Sequence, residues 1–462
     1  MYKRQEYKEI SAIVLFNSAF DKNIPAHTKN QTGYLDWELP SLSWIEKEYS
    51  HSLPDFFFDP NLSLLKSNSA PNTKRVVLQT DLKAVGYKKG QNWSGNNYVL
   101  TREELEKDFS KMQQIGIRQI RYEGGLYDTN VLSISKSQAI EVLYSFWIPD
   151  TLHFVDNNAA LKNIESNILG TISQLKTHSN INAWCIGNKS LKHIFNKVHA
   201  PRNLYEKAAY FSWIKALTNK MKMADSAKPI ILEITASNEN LSAFKELVQM
   251  QLPIDYYGFR VTSNIGFKAF KQFAEQQGVP FIISDISAPN LEKLQQEDQI
   301  KNSIISNWQD QWENNKVSFD GLLDRKGRTK NAYHTLSKLW SSKPEVKAPQ
   351  IRILSPAELI RPNRQVTFYA LTKHKENWQY PTNTDLFKNY EWTLVKQDLY
   401  GNNIALKSLG KGNSITFKVP KDYHEGLKYE ILLSYTFNEE CVTTYRTPLN
   451  TPIPKAIPSE WN

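Results

Sequence analysis

From about residue 83 onward, short apolar runs alternate with longer amphipathic stretches, and this alternation constrains the fold more than any other feature of the chain. An apolar run followed by a helical period, repeated, builds βα units whose strands lie parallel. The pattern predicts eight strands, at 84–87, 117–122, 142–148, 181–186, 229–235, 254–261, 280–286 and 317–323. The helices between them have recognisable construction. Thr101 and Glu104 form a capping box, Leu105, Phe109, Met112 and Ile115 follow at helical spacing, and Gly116 supplies the stop. A third unit repeats the period with Leu161, Ile164, Ile168, Ile172 and Leu175, and a seventh with Ile300, Ile304, Trp308 and Trp312. Eight such units are expected to close as a (β/α)8 barrel, which typically takes about 250 residues. A doubly wound open sheet is the alternative, but the strand-to-helix turns carry no Gly-rich phosphate loop.

The flanks read differently. Residues 1–80 are rich in aromatics, Pro, Asn and Ser without a sustained period and receive no assignment. The barrel is expected over 81–341, a Pro-bearing linker over 342–349, an immunoglobulin-like β-sandwich over 350–448 and a Pro-rich tail over 449–462. The fold class is therefore α/β, a TIM barrel followed by a small all-β sandwich. The first five residues, Met1-Tyr2-Lys3-Arg4-Gln5, can be written GTG TAT AAG AGA CAG, similar to a sequencing-library adaptor, so the reading frame is expected to be cut at its start.

Composition closes several classes. The 57 Lys and Arg residues exceed the 47 Asp and Glu, giving +10, but the excess is spread singly with no basic helix, so no nucleic-acid partner is expected. The two cysteines, Cys185 and Cys441, are too far apart for a disulfide framework or a zinc site. No apolar run approaches the roughly 20 residues of a membrane-spanning helix.

In a barrel of this kind the reacting groups stand at the carboxyl ends of the strands. Those positions hold Tyr87 after strand one, Arg121, Tyr122 and Glu123 after strand two, and Trp147 and Asp150 after strand three. Asn188 and Lys189 end strand four, Arg260 and Thr262 strand six, Asp285 strand seven, and Asp320 and Asp324 the expected strand eight.

Five strings at these places carry a resemblance. They are Gly86-Tyr87, Gln114 to Arg121 (QIGIRQIR), His178 to Asn188 (HSNINAWCIGN), Pro280 to Asp285 (PFIISD) and Asp324 to Tyr333 (DRKGRTKNAY). Together they resemble the catalytic barrel of glycoside hydrolase family 2 and related retaining β-glycosidases. The resemblance implies an acid/base Glu after the strand-four Asn, a nucleophilic Glu ending strand seven, and a tyrosine on strand six. Here those positions hold Lys189, Asp285 and Thr262. A retaining mechanism needs two carboxyl groups about 5–5.5 Å apart, one to protonate the leaving oxygen and one to attack the anomeric carbon. A lysine with its usual pKa of about 10.4 serves poorly as that acid. Asp285 is one methylene short, and a misplacement of about 1 Å can cost on the order of a hundredfold.

The resemblance thus implies a barrel that has lost hydrolysis and binds a polysaccharide or oligosaccharide within a carbohydrate-processing or glycan-synthesis protein. It implies a periplasmic or other extracytoplasmic location and leaves room upstream for a membrane or glycosyltransferase domain; with no metal-ligand spacing, P-loop or dinucleotide fingerprint in the sequence, no cofactor and no metal are expected. Arg121, Asn188 and Asp320 are candidate sugar contacts, and Tyr87, Trp93, Tyr122, Trp147 and Phe154 a candidate stacking platform. The plainer reading makes Lys189 and Asp285 a salt bridge, Arg121 a structural partner of Asp285 or Glu123, and half of the aromatics ordinary packing. His153 and His334 have no partner at metal-ligand spacing, and Cys185 reads as a small buried hydrophobe. Two further functions stay open: an active β-glycosidase or transglycosidase with Glu123 or Asp320 as a relocated acid beside Asp285, and a structural scaffold for a protein partner.

Overall fold

The computed structural model describes residues 75–78 and, with short breaks such as 90–99, 295–301, 383–388 and 423–427, residues 81–449. The unassigned leader up to residue 74 and the tail from 450 lie outside the described residues. Eight strands hydrogen-bond in chain order into a closed barrel: β1 (Lys83–Tyr87), β2 (Gln119–Glu123), β3 (Glu141–Ser145), β4 (Ile181–Ile186), β5 (Ile230–Ala236), β6 (Tyr256–Val261), β7 (Phe281–Ile286) and β8 (Ser303–Ile305). The helices are α1 (Arg102–Gln114), α2 (Asp128–Ser137), α3 (Asn158–Leu175), α4 (Ser190–Lys197), α5 (Arg202–Ala224), α6 (Leu241–Gln249), α7 (Asn264–Gln276), α8 (Ala288–Leu294) and α9 (Asn331–Ser341). Among the described residues none is long and apolar enough to cross a membrane.

Seven barrel strands lie where the apolar pattern places them, and the eighth does not. The residues expected at 317–323 as strand eight instead form β11 (Lys316–Val317) and β12 (Gly321–Leu323), outside the barrel. The barrel is closed by Ser303–Ile305, within a segment whose spacing predicts a helix, and Ala84 and Val85 of β1 pair in parallel with Ile304 and Ile305. Both isoleucines are fully buried, because a strand of a closed barrel is covered on both faces and loses the alternation that marks a half-exposed strand.

By their internal contacts the described residues divide into two compact units, one containing 143–282 and the other 81–142 with those from 283 onward. In the first, β4, β5 and β6 pair in parallel, with Trp184 opposite Ile230 and Ile234 opposite Phe259. Their outer faces meet an aromatic cluster in which Phe244 stacks on Phe270 at 4.8 Å and meets Phe259 edge-on. The Trp184 indole donates to Asp225 at 3.0 Å, and Lys222 forms a buried ion pair with Asp255 at 2.7 Å.

In the second unit the Thr101–Glu104 capping box opens α1 as expected, and Ile115 and Gly116 close it with backbone bonds to the last turn. Beyond β8 the chain makes an excursion through β9 (Asn307–Gln309), β10 (Trp312–Glu313), β11 and β12 before α9. The C-terminal part is a β-sandwich of β13 (Ile351–Leu354), β14 (Gln365–His374), β15 (Asn377–Gln379), β16 (Tyr390–Gln397), β17 (Asn403–Lys411), β18 (Ser414–Lys418), β19 (Lys428–Phe437) and β20 (Cys441–Pro448). Here β10 and β11 extend the sandwich sheet, whose order is β10-β11-β17-β16-β19-β20. The strands β15, β17 and β20 go beyond those read from the sequence. The sandwich core gathers Trp392, Phe368, Ile431 and Leu433, and the Trp392 indole donates to the Gly412 carbonyl at 2.7 Å.

Candidate functional site

The residues from β2, β7 and β8 make one connected group. Arg121, on β2, is only 3% exposed; its Nη1 donates to the Ser284 carbonyl at 2.9 Å and its Nη2 lies 3.3 Å from Asp285 Oδ2. Asp285, on β7, is 7% exposed, and its Oδ1 accepts a hydrogen bond from the Ser306 hydroxyl just past β8. One glycine makes this convergence possible. A Cβ on Gly86 of β1 would lie 2.0 Å from the Ser306 carbonyl oxygen, so only glycine lets β1 pass the exit of β8 this closely.

This arrangement engages both oxygens of Asp285. The Arg121 guanidinium, which stays protonated in proteins, faces Oδ2, while the Ser306 hydroxyl donates to Oδ1. The carboxylate is thus a charge-paired acceptor with both oxygens engaged. The two alternative acids are engaged elsewhere. Glu123 Oε1 lies 3.5 Å from Lys88 Nζ, and Asp320 Oδ1 accepts from Asn307 Nδ2 at 2.9 Å.

In the other unit, β4 is followed by Gly187, whose φ is +106° and whose added Cβ would lie 2.6 Å from the Glu233 carbonyl oxygen. Lys189 then sits half-buried at the N-terminus of α4, and Asn188 between them lies outside the described residues. Trp147, just past β3, is 57% exposed.

Most of the expected stacking platform is instead packing. Tyr87 is fully buried, with its hydroxyl donating to Asp108 at 3.0 Å and its ring edge-on to Phe109, because residue 87 of β1 faces helix α1. Tyr122 is 1% exposed, and Phe154 is buried against Tyr210 and Trp213. None of the three can present a ring face to a sugar. Trp93 and Asp150 lie outside the described residues, which leaves Trp147 as the exposed aromatic of that set. His153 Nδ1 lies 3.4 Å from the buried Glu206, and His334 Nε2 lies 3.1 Å from Thr329 Oγ1. Cys185 is buried within β4. Among the described residues no cluster of His, Cys, Asp and Glu could hold a metal ion.

Three residues escape the sequence reading. Ser306 is passed over because its neighbourhood has helical spacing; the β-branched pair Ile304-Ile305 before it is the signal for a strand. Glu233 is a buried acidic residue, 3% exposed, and the single charged residue of β5. Asp310 is pushed up to about 6 by burial, against the pull of Lys330. Its Oδ1 accepts from Lys330 Nζ at 2.7 Å and from the Gly321 N–H at 2.9 Å, so it anchors the excursion after β8.

Neither a protein-family model nor a curated protein matches the sequence. Several solved structures are similar in fold. A Bacteroides uniformis β-glucuronidase aligns over 80% of this chain and 46% of its own, at 15% identity and a TM-score of 0.48. A Parabacteroides merdae β-glucuronidase aligns over 80% and 49%, at 12% identity and a TM-score of 0.43. A GH2 β-galacturonidase from Eisenbergiella tayi aligns over 57% and 51%, at 13% identity and a TM-score of 0.44. The chain spans about half the length of these structures.

Proposed function

We propose that the barrel holds a polysaccharide or oligosaccharide without hydrolysing it, as one part of a carbohydrate-processing or glycan-synthesis protein. The observation that carries this reading is the state of Asp285. Its oxygens are held by Arg121 and Ser306, and its side chain is one methylene shorter than the nucleophile that the resemblance implies. At the end of β4 the place of the acid is taken by Lys189, an ammonium with no carboxyl proton to give to a leaving oxygen. The exposed indole of Trp147 past β3 supports saccharide contact, since an aromatic face combines apolar area with orientation.

The test is a pair of measurements on the full chain. Aryl β-glycosides and β-uronides should show no turnover above buffer, while calorimetry against a panel of oligosaccharides should detect binding that weakens in Trp147→Ala. Turnover that disappears in Asp285→Ala, or a panel without a single binder, overturns the proposal.

A further inference from the structure

We propose that the cleft between the excursion after β8 and the outward face of the sandwich sheet is a binding site for an acidic oligosaccharide. On β16 and β19 the residues Trp392, Leu394, Ile431 and Leu433 enter the sandwich core, so their neighbours face the other way. The pairing aligns these neighbours in rows across four strands. Lys411, Glu391, Ser434 and Thr444 form one row, and Ser408, Thr393, Leu432 and Arg446 the next. The loop of residues 324–330 is tied to this sheet, with the Thr329 N–H donating to the Glu440 carbonyl at 2.7 Å and Arg328 Nη1 to Thr436 Oγ1 at 2.5 Å. Between loop and sheet lies a cleft of about 590 Å³. That volume is within the roughly 300–1,000 Å³ of small-molecule sites.

The charge of the lining selects the ligand. Six cations and three carboxylates, Asp310, Asp324 and Glu391, line the cleft, and one of the cations, Arg446, is paired with a fourth carboxylate, Glu430. Lys330 is satisfied by Asp310 at 2.7 Å and Arg328 by Asp324 at 2.7 Å. Glu391 alone then serves Lys326 at 2.8 Å and Lys411 at 3.3 Å, with Arg328 also within 3.2 Å. The side chains of Lys326 and Lys411 are 62% and 63% exposed, and each ammonium has three N–H donors. They can keep Glu391 and still receive a second anion. Beside them Thr393, Ser408, Ser434 and Thr444 line the cleft with hydroxyls, in rows set by a strand spacing of about 4.8 Å, the scale of one sugar ring. A ligand carrying both a negative charge and many hydroxyls matches this surface; a neutral sugar would leave Lys326 and Lys411 sharing the single carboxylate of Glu391. The cleft shares no lining residue with the Arg121, Asp285 and Ser306 group, so the inference holds whether or not the barrel hydrolyses anything.

The test uses calorimetry of the full chain at low salt with three probes: a tetragalacturonate, a neutral galactose tetramer and inorganic sulfate. The tetragalacturonate should bind in preference to both others and weaken as salt is added. The Lys326→Ala/Lys411→Ala double variant should lose tenfold or more in affinity, and Lys326→Arg/Lys411→Arg should restore it. Equal binding of the neutral tetramer overturns the charge argument, and sulfate binding as tightly as the tetramer overturns the saccharide. An affinity unchanged in the Ala double variant overturns the site.

Discussion

The pair of Arg121 and Asp285 allows a quantitative test of how the barrel interior is held. The two groups lie 3.3 Å apart and are 3% and 7% exposed, so neither charge is well solvated. At an effective dielectric constant of about 20 their attraction is about 5 kcal/mol. Replacing Arg121 with Met keeps the bulk and removes the charge that faces Asp285 Oδ2; breaking a buried pair in this way costs about 3–5 kcal/mol. For a unit of this size the melting temperature should fall on the order of 10 °C. Asp285→Asn keeps the shape and the Ser284 bond of the guanidinium but removes the opposite charge, and should cost a similar amount. The double variant Arg121→Met/Asp285→Asn removes both charges and should be more stable than the sum of the single effects by about 2 kcal/mol or more, a coupling that a double-mutant cycle isolates. The assay is thermal melting followed by near-ultraviolet circular dichroism, which reports the buried aromatics. Single variants melting within about 2 °C of the wild type, with additive effects, would refute the pairing as the organising contact of the strand ends.

Two further outcomes follow from particular contacts. Gly86→Ala brings a Cβ to 2.0 Å from the Ser306 carbonyl, so it should destabilise the barrel by about 1–3 kcal/mol or more, and a variant that melts with the wild type contradicts the close approach of β1. Burial pushes the Glu391 carboxyl up, but the bond from Lys326 and the charges of Arg328 and Lys326 outweigh it and hold the group below its ordinary value of 4.5. A carboxyl lowered by folding binds fewer protons in the folded than in the unfolded chain. Its stabilisation is therefore complete above about pH 4.5 and is lost as the pH falls through the lowered value. Glu391→Gln should flatten that acid limb of melting temperature against pH, and a variant whose acid limb runs parallel to the wild type contradicts the assignment.

What the sequence makes legible, and what it hides, follows from which faces of a strand are covered. The strands β1 to β7 stand out because each apolar run is bounded by a helix with its own period, as Thr101 to Gly116 bounds the approach to β2. The eighth strand is hidden because Ile304 and Trp308, four residues apart, satisfy a helical period while standing on two consecutive short strands, β8 and β9. Periodicity alone cannot separate these cases when every residue is buried. The same limit explains the aromatics. Tyr87 and Trp147 both stand at strand ends in the sequence, yet one is enclosed between β1 and α1 and the other is exposed past β3, a difference set by partners far away in the chain. Asp320 and Asp324 show the consequence for chemistry: once strand eight moves back to Ser303–Ile305, its carboxyl end is Ser306, and the two aspartates belong to the excursion beyond it. The residue that donates to Asp285 Oδ1 is thus a serine that no catalytic motif would single out. Its role rests on Gly86, whose missing side chain lets β1 and the end of β8 come together.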